Sequence, residues 1–260
     1  MSKHRSFILA TIGMLLAFGL LPGAGAAQYV TVDLEINSEQ RSALVKGTFS
    51  GERKNLTFLK EAIGSPDLGL RISEVSASGR SGQPLELRRF NSTEYVSEAN
   101  IGSFSYKVDL SPSANPRSAA HVSWLNAEMG LLMLDDLLPV PSASGTRDAQ
   151  IGLRTPSGWK LVGLEQAESG APFTFRDVLR TVLVLHRDMR LQPGQPDVAV
   201  AGKWHFSDAE VSSMAAGILD EYRRLFGGLP AERPRVIVLP FPQPNVPAGT
   251  WEAETRGSTV

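Results

Sequence analysis

The stretch that most constrains this chain is 207–226, because it can be little other than a long amphipathic helix. Ser207 followed by Glu210 has the spacing of a capping box, in which each side chain satisfies a backbone N–H of the first turn. Val211, Met214, Ala215, Ile218, Tyr222, Leu225 and Phe226 then recur at threes and fours, one apolar stripe over several turns. Gly227 and Gly228 stop the helix, since glycine enters the left-handed C′ conformation at low cost. The pattern predicts that Ser207–Phe226 is the longest helix of the mature chain, with the Val211–Met214–Ile218–Tyr222–Phe226 stripe packed on a partner surface. Pro234 then opens Val236-Ile237-Val238-Leu239, a β-branched run that reads as a buried strand closed by Pro240 and Pro242. A proline-rich connection leads on to Gly249-Thr250-Trp251-Glu252-Ala253.

Ahead of residue 120 nothing resembles that helix. Val30, Val32, Leu34 and Ile36 alternate with polar residues, the period of a strand with one buried face. Leu44–Phe49 and Phe104–Val108 read the same way, and 55–63 fits either a strand or a short helix. Leu70–Ala77 and Leu85–Arg89 flank a turn-rich link suited to a hairpin. Leu131-Leu132-Met133-Leu134 is continuously apolar, and periodicity alone leaves strand and core helix both open. Ile151–Val162 gives a strand, a turn at Pro156-Ser157-Gly158, and Trp159 beyond it, while Val182–Leu185 is a further buried strand. Pro193-Gly194-Gln195-Pro196 disfavours both helix and central strand, which marks a boundary. The expected organisation is a leader over 1–26, a β-rich domain over 27–195, and the start of a second domain over 196–260. The fold class is mainly β: an antiparallel sandwich-like domain followed by the opening helix and strand of an α+β domain.

Composition narrows the partners. Lys and Arg number 26 against 27 Asp and Glu, without a basic cluster, which argues against nucleic acid or an anionic membrane surface. With no cysteine, neither a disulfide framework nor a thiolate metal site can be built. Met1–Ala27 has a basic start at Lys3, His4 and Arg5, an apolar run over Phe7–Leu21, and small residues at Ala24-Gly25-Ala26. The run is shorter than the ~20 residues a membrane-spanning helix needs. It predicts export to the periplasm or medium, cleavage near Ala26 or Ala27, and no membrane span afterwards. An uncleaved anchor is the alternative.

The order of the C-terminal motifs resembles a known family. A helix ending Tyr222-x-x-x-Phe226-Gly227, a Pro-flanked strand, and Gly249-x-x-Glu252 are similar to the opening of a gluzincin metallopeptidase catalytic domain of the aminopeptidase-N or glycyl-aminopeptidase type. Gly249-Thr250-Trp251-Glu252-Ala253 stands where the first type has Gly-Ala-Met-Glu-Asn. Arg256-Gly257-Ser258-Thr259 resembles the Arg-Asn-Ser-Thr of the second, and Pro156-x-Gly158-Trp159 suits its N-terminal β-domain. The resemblance implies a parent that hydrolyses peptides from the amino end with zinc held by a downstream His-Glu-x-x-His helix. It implies that Glu252 binds the substrate α-amine, and that Gly249 and Trp251 lie along the peptide. Ala253 in place of Asn, and Trp251 in place of Met, depart from the pattern.

The residues themselves supply no catalytic group and no metal site. His4, His121, His186 and His205 include no pair at the i, i+4 spacing that puts two imidazoles on one helical face. His121 near Trp124 reads as a packed or surface histidine. Asp135-Asp136 reads as a cap rather than a catalytic pair, because adjacent side chains point apart. Trp204 and Trp251 fit either a ligand groove or a core. Nucleophile-elbow and phosphate-loop motifs are absent. As given, the chain is expected to bind no zinc alone and to be inactive alone, with zinc entering only in the complete enzyme. The alternative is a non-catalytic periplasmic β-sandwich module that binds a peptide or partner protein.

Overall fold

The structure is a computed structural model that describes residues 28–141, 147–162, 172–228 and 233–260. The expected leader lies outside these residues. In chain order the first strands are β1 (Val30–Asn37), β2 (Ser42–Phe49), β3 (Asn55–Thr57), β4 (Ile72–Ser78), β5 (Pro84–Leu85), β6 (Arg88–Arg89), β7 (Glu94–Val96) and β8 (Ser103–Asp109). Then come β9 (Trp124–Leu125), β10 (Met129–Met133), the single-turn helix α1 (Leu134–Leu137), β11 (Ala149–Arg154), β12 (Lys160–Val162), β13 (Phe173–Phe175) and β14 (Val182–His186). The C-terminal part holds β15 (Arg190–Gln192), β16 (Asp197–Val200), α2 (Asp208–Phe226) and β17 (Arg235–Val238). The chain is therefore mainly β, an antiparallel sandwich-like body followed by a helix and a strand.

The layers follow from which faces are apolar. A seven-stranded sheet runs β13-β11-β1-β2-β8-β4-β5. Its interior strand β1 buries Val30, Val32, Leu34 and Ile36 and turns the intervening residues to solvent, as its alternation requires. All its pairings are antiparallel except β1 with β11, where Val30 lies parallel to Ala149. Its inner face packs on Leu132, Leu183 and Leu185 of a second sheet, β12-β14-β10-β9.

That second sheet is a middle layer. Its other face carries Leu131, Met133 and Val184, which meet Ala199, Ala201, Ile237 and Leu239 from a third sheet. All five residues of β10 are buried because both of its faces are covered. The apolar run at 131–134 thus divides: strand through Met133, then the helical turn α1 from Leu134.

The third sheet, β15-β16-β17, pairs β16 parallel with β17, and α2 is the crossover between them. Its outer face presents Val198, Val200, Val236 and Val238 to Val211 and Ala215 of α2. The boundary expected at 193–196 falls at the turn between β15 and β16, which pair antiparallel. Beyond β17 the chain returns, and Ser258–Val260 pair with the second edge of β17 through Arg235 and Ile237.

α2 begins with the capping box. Ser207 accepts from Glu210 N–H at 3.2 Å, and Glu210 accepts from Ser207 N–H at 2.7 Å. Gly227 closes the helix at φ 72°, in the left-handed region. The packed face differs from the expected stripe. Val211, Ala215 and Leu219 are buried, whereas Met214, Ile218, Leu225 and Phe226 are 60–71% exposed. The sheet beneath is three strands wide and covers one row of side chains at a spacing of four, so the adjacent apolar row faces outward. No helix among the described residues is long and apolar enough to cross a membrane.

Candidate functional site

Between the middle sheet and the C-terminal segment runs a groove of about 370 Å³. One wall is Trp124, Leu131 and Met133 from β9 and β10. The other includes Ile237 and Leu239 from β17 and its continuation. Trp204 and Phe206, stacked with centroids 5.1 Å apart, close one side, and Trp251 with Glu252 and Glu254 forms the rim. Both tryptophans singled out in the sequence are groove residues rather than core: Trp204 is 37% and Trp251 78% exposed. The Trp204 indole N–H is satisfied by Ala201 O at 2.7 Å, which fixes its ring against the opening.

Gly249 lies just outside this lining. Its φ of +82° demands glycine, while open space surrounds the position a Cβ would take. The glycine therefore sets the direction of the chain into Thr250-Trp251-Glu252.

The polar end of the groove is built by two distant segments. In the extended stretch after Trp251, Glu252, Glu254 and Arg256 alternate and so can share one side. His121, 6% exposed, sits ahead of β9 and faces both glutamates: Nδ1 pairs with Glu254, and Nε2 lies 3.8 Å from Glu252 Oε2. Arg256 donates through Nη1 to Asp135 and, at 2.8 Å, to Leu179 O. Its Nε lies 3.2 Å from Glu254 Oε1, an ion pair by distance without the alignment of a hydrogen bond. Burial pushes the Asp135 carboxyl above its ordinary value, with the Arg256 hydrogen bond and charge pulling the other way. Burial also works against the Arg256 guanidinium, yet Asp135, with the charges of Glu254 and Asp136, outweighs it and holds the guanidinium above its usual value.

Two consequences are chemical. Glu252 and Glu254 line the groove beside Arg256, whose charge is already paired with Asp135, so the rim favours a cation. Glu254 is committed to His121 and Arg256, whereas Glu252 makes no hydrogen bond among the described residues and keeps its acceptor capacity. The two glutamates flank different nitrogens of one ring rather than facing a common point. Among the described residues no three His, Cys, Asp or Glu side chains are grouped to hold a metal ion.

Asp135 and Asp136 diverge, as adjacent residues of one helical turn must. Asp136 turns inward to accept from Ser123 N–H at 2.6 Å and from Arg71 at 3.2 Å. His121, Glu254 and Asp135 had no site role in the sequence reading. The available signal was the Glu252-x-Glu254-x-Arg256 alternation, which marks one charged side of an extended segment.

Likeness to solved structures gives the fold a setting. An aminopeptidase N family protein from Idiomarina loihiensis aligns with a TM-score of 0.65 at 12% identity, covering 81% of this chain and 39% of its own. The chain thus spans well under half the length of that protein. Two structures of an M1 zinc metallopeptidase from Deinococcus radiodurans, one a mutant bound to a Tyr-Ser-Ala substrate, cover 83% of this chain and 57% of theirs. Their identities are 14% and 16%, with TM-scores of 0.48 and 0.43. No protein-family model and no curated protein sequence matches the chain. Aminopeptidase N family proteins are therefore its structural neighbours, and the shared feature is the fold.

Proposed function

We propose that this chain is the amino-terminal part of an aminopeptidase-like metallopeptidase and contributes the carboxylate that recognises a peptide's free amino end. The observation that carries this reading is Glu252, a carboxylate with acceptor capacity to spare at the anionic rim of an apolar groove. An α-ammonium would meet Glu252 in a charge-assisted contact, stronger than a neutral hydrogen bond. The first side chain would enter between Trp124, Trp204 and Ile237, and Trp251 would flank the peptide beyond it. The fold likeness to an aminopeptidase N family protein supports the same reading.

Zinc belongs to the complete enzyme in this proposal, where it would supply an activated water. In this reading the share of the described residues is to bind and orient the peptide's amino end. Export also belongs to the reading, supported by the basic start, apolar run and small residues of 1–27. Recovery of Met1 on N-terminal sequencing of the exported protein would remove that part.

The test is binding of phenylalaninamide and N-acetylphenylalaninamide to the full chain by calorimetry. The free amine is expected to bind and the acetylated analogue not, with Glu252→Gln abolishing the difference. Equal binding of both compounds would instead favour the non-catalytic module that takes a peptide without reading its amino end.

A further inference from the structure

His121 is where the two halves of the groove's polar end meet. It belongs to the β-rich body, while its partners Glu252 and Glu254 belong to the C-terminal segment, Glu254 lying 133 positions later in the chain. An imidazole is a rigid ring with a nitrogen on either side, and here each nitrogen addresses a different carboxylate. Because the ring is 6% exposed, water cannot readily replace it as a partner of Glu254. Glu254 in turn approaches Arg256, which is anchored to Asp135 and Leu179 O. The segment carrying Glu252 is thus fastened on both sides of Glu254, and the fastening nearest Glu252 is the ring.

We infer that His121 is a positioning residue for Glu252, holding its segment against the groove so that the carboxylate is preorganised for a cationic amine. This rests on the reading of Glu252 as the amine-recognising group. The contact has the length such a role needs. The Nδ1 link to Glu254 holds the segment, while Nε2, 3.8 Å from Glu252, is too far to occupy that carboxylate as a hydrogen-bond partner, so an incoming ammonium does not have to displace a bond. A carboxylate already held in place loses less freedom when the ligand arrives, and that loss opposes binding directly.

The experiment uses the full chain and the same two probes. His121→Phe keeps a flat buried ring and removes both nitrogens. His121→Asn places an amide N–H near the position of Nδ1, preserving the link to Glu254. His121→Phe is expected to weaken phenylalaninamide about tenfold, with N-acetylphenylalaninamide still not bound, and His121→Asn to recover most of the loss. A purely structural role would loosen the whole chain rather than the segment that carries Glu252. Hydrogen exchange at 250–256 is expected to quicken in His121→Phe while β1 and β2 exchange as before. Should His121→Phe fail to fold, His121→Leu also removes both nitrogens without changing the rim's carboxylates and should weaken the free amine likewise. Unchanged affinity in folded His121→Phe, with the unmodified chain still preferring the free amine, overturns the inference and leaves the amine site standing. Failure of the unmodified chain to prefer the free amine overturns both.

Discussion

Arg256 donates to the carboxylate of Asp135, 121 positions earlier, and so ties the C-terminal segment to the first turn of α1. Both side chains are largely buried, at 19% and 11% exposure, so the pair is screened far less than a surface ion pair. Removing Asp135 would leave the buried guanidinium with only Leu179 O and Glu254 as partners. Asp135→Ala is expected to cost about 3 kcal/mol in denaturant unfolding. A loss below about 0.5 kcal/mol would mean the pair behaves as a surface contact.

Tyr106 is fully buried and donates its hydroxyl to Leu137 O at 2.6 Å, holding the end of α1 against the large sheet. Burial raises its pKa, so the group stays a neutral donor. Tyr106→Phe leaves that carbonyl without its donor and is expected to cost about 1–2 kcal/mol. No measurable change in the unfolding midpoint would contradict the contact.

His186 gives the stability a pH dependence. Burial lowers its pKa from 6.5, opposed by the charges of Asp188 and Glu128, and its Nδ1 accepts from Asp188 N–H at 2.6 Å. A depressed folded value means the folded chain favours the neutral ring. The stability it contributes is therefore complete above 6.5 and is lost as pH falls toward the folded value. His186→Asn keeps an acceptor for Asp188 N–H without a titrating group. Its thermal midpoint should fall less than that of the unmodified chain between about pH 7.5 and about pH 5.5. Parallel declines would refute the assignment.

The two rows of α2 make opposite expectations. Val211→Ala empties a place against Val198 and Val200 and should cost about 2 kcal/mol. Ile218→Gln lies on the exposed row and should change stability by less than about 0.5 kcal/mol. Reversal of that order in the chain alone would show that the outer row is covered in solution.

Ser207→Ala removes half of the capping box and is expected to cost ~1 kcal/mol, with Glu210→Ala costing less because Ser207 can still cap. Equal stability of Ser207→Ala and the unmodified chain would contradict the cap.

These contrasts also show why some of the fold could be read from residues and some could not. β1 was legible because one face meets the core and the other meets water, so its period of two is written in polarity. β10 was not, since two covered faces erase the alternation that separates strand from helix. α2 announced itself by caps and period, but its apolar residues span an arc wider than the sheet beneath, and periodicity does not say which row is covered. The β15–β16–β17 sheet was half visible. The strand at 235–238 was apparent, while its parallel partner β16 could not be inferred from local pattern. In the site, Glu252 stood out by its motif. His121 did not, because its meaning lies in contacts more than a hundred residues away, and a lone histidine beside a tryptophan gives no hint of them.

The parallel pairing of β1 with β11 has a consequence for how the molecule comes into being. β1 and β2 can close as a hairpin soon after they are synthesised, but the other edge of β1 must wait for residues 149–154. Until then a long strand with one apolar face presents unpaired N–H and C=O groups to any passing chain. Such sequence-distant closure slows folding and prolongs the interval in which chains can associate wrongly. Shortened chains ending before Ala149 should therefore aggregate where chains that include β11 do not. Pulse-labelling hydrogen exchange should find β1 protected on its β2 side before it is protected on the side of β11.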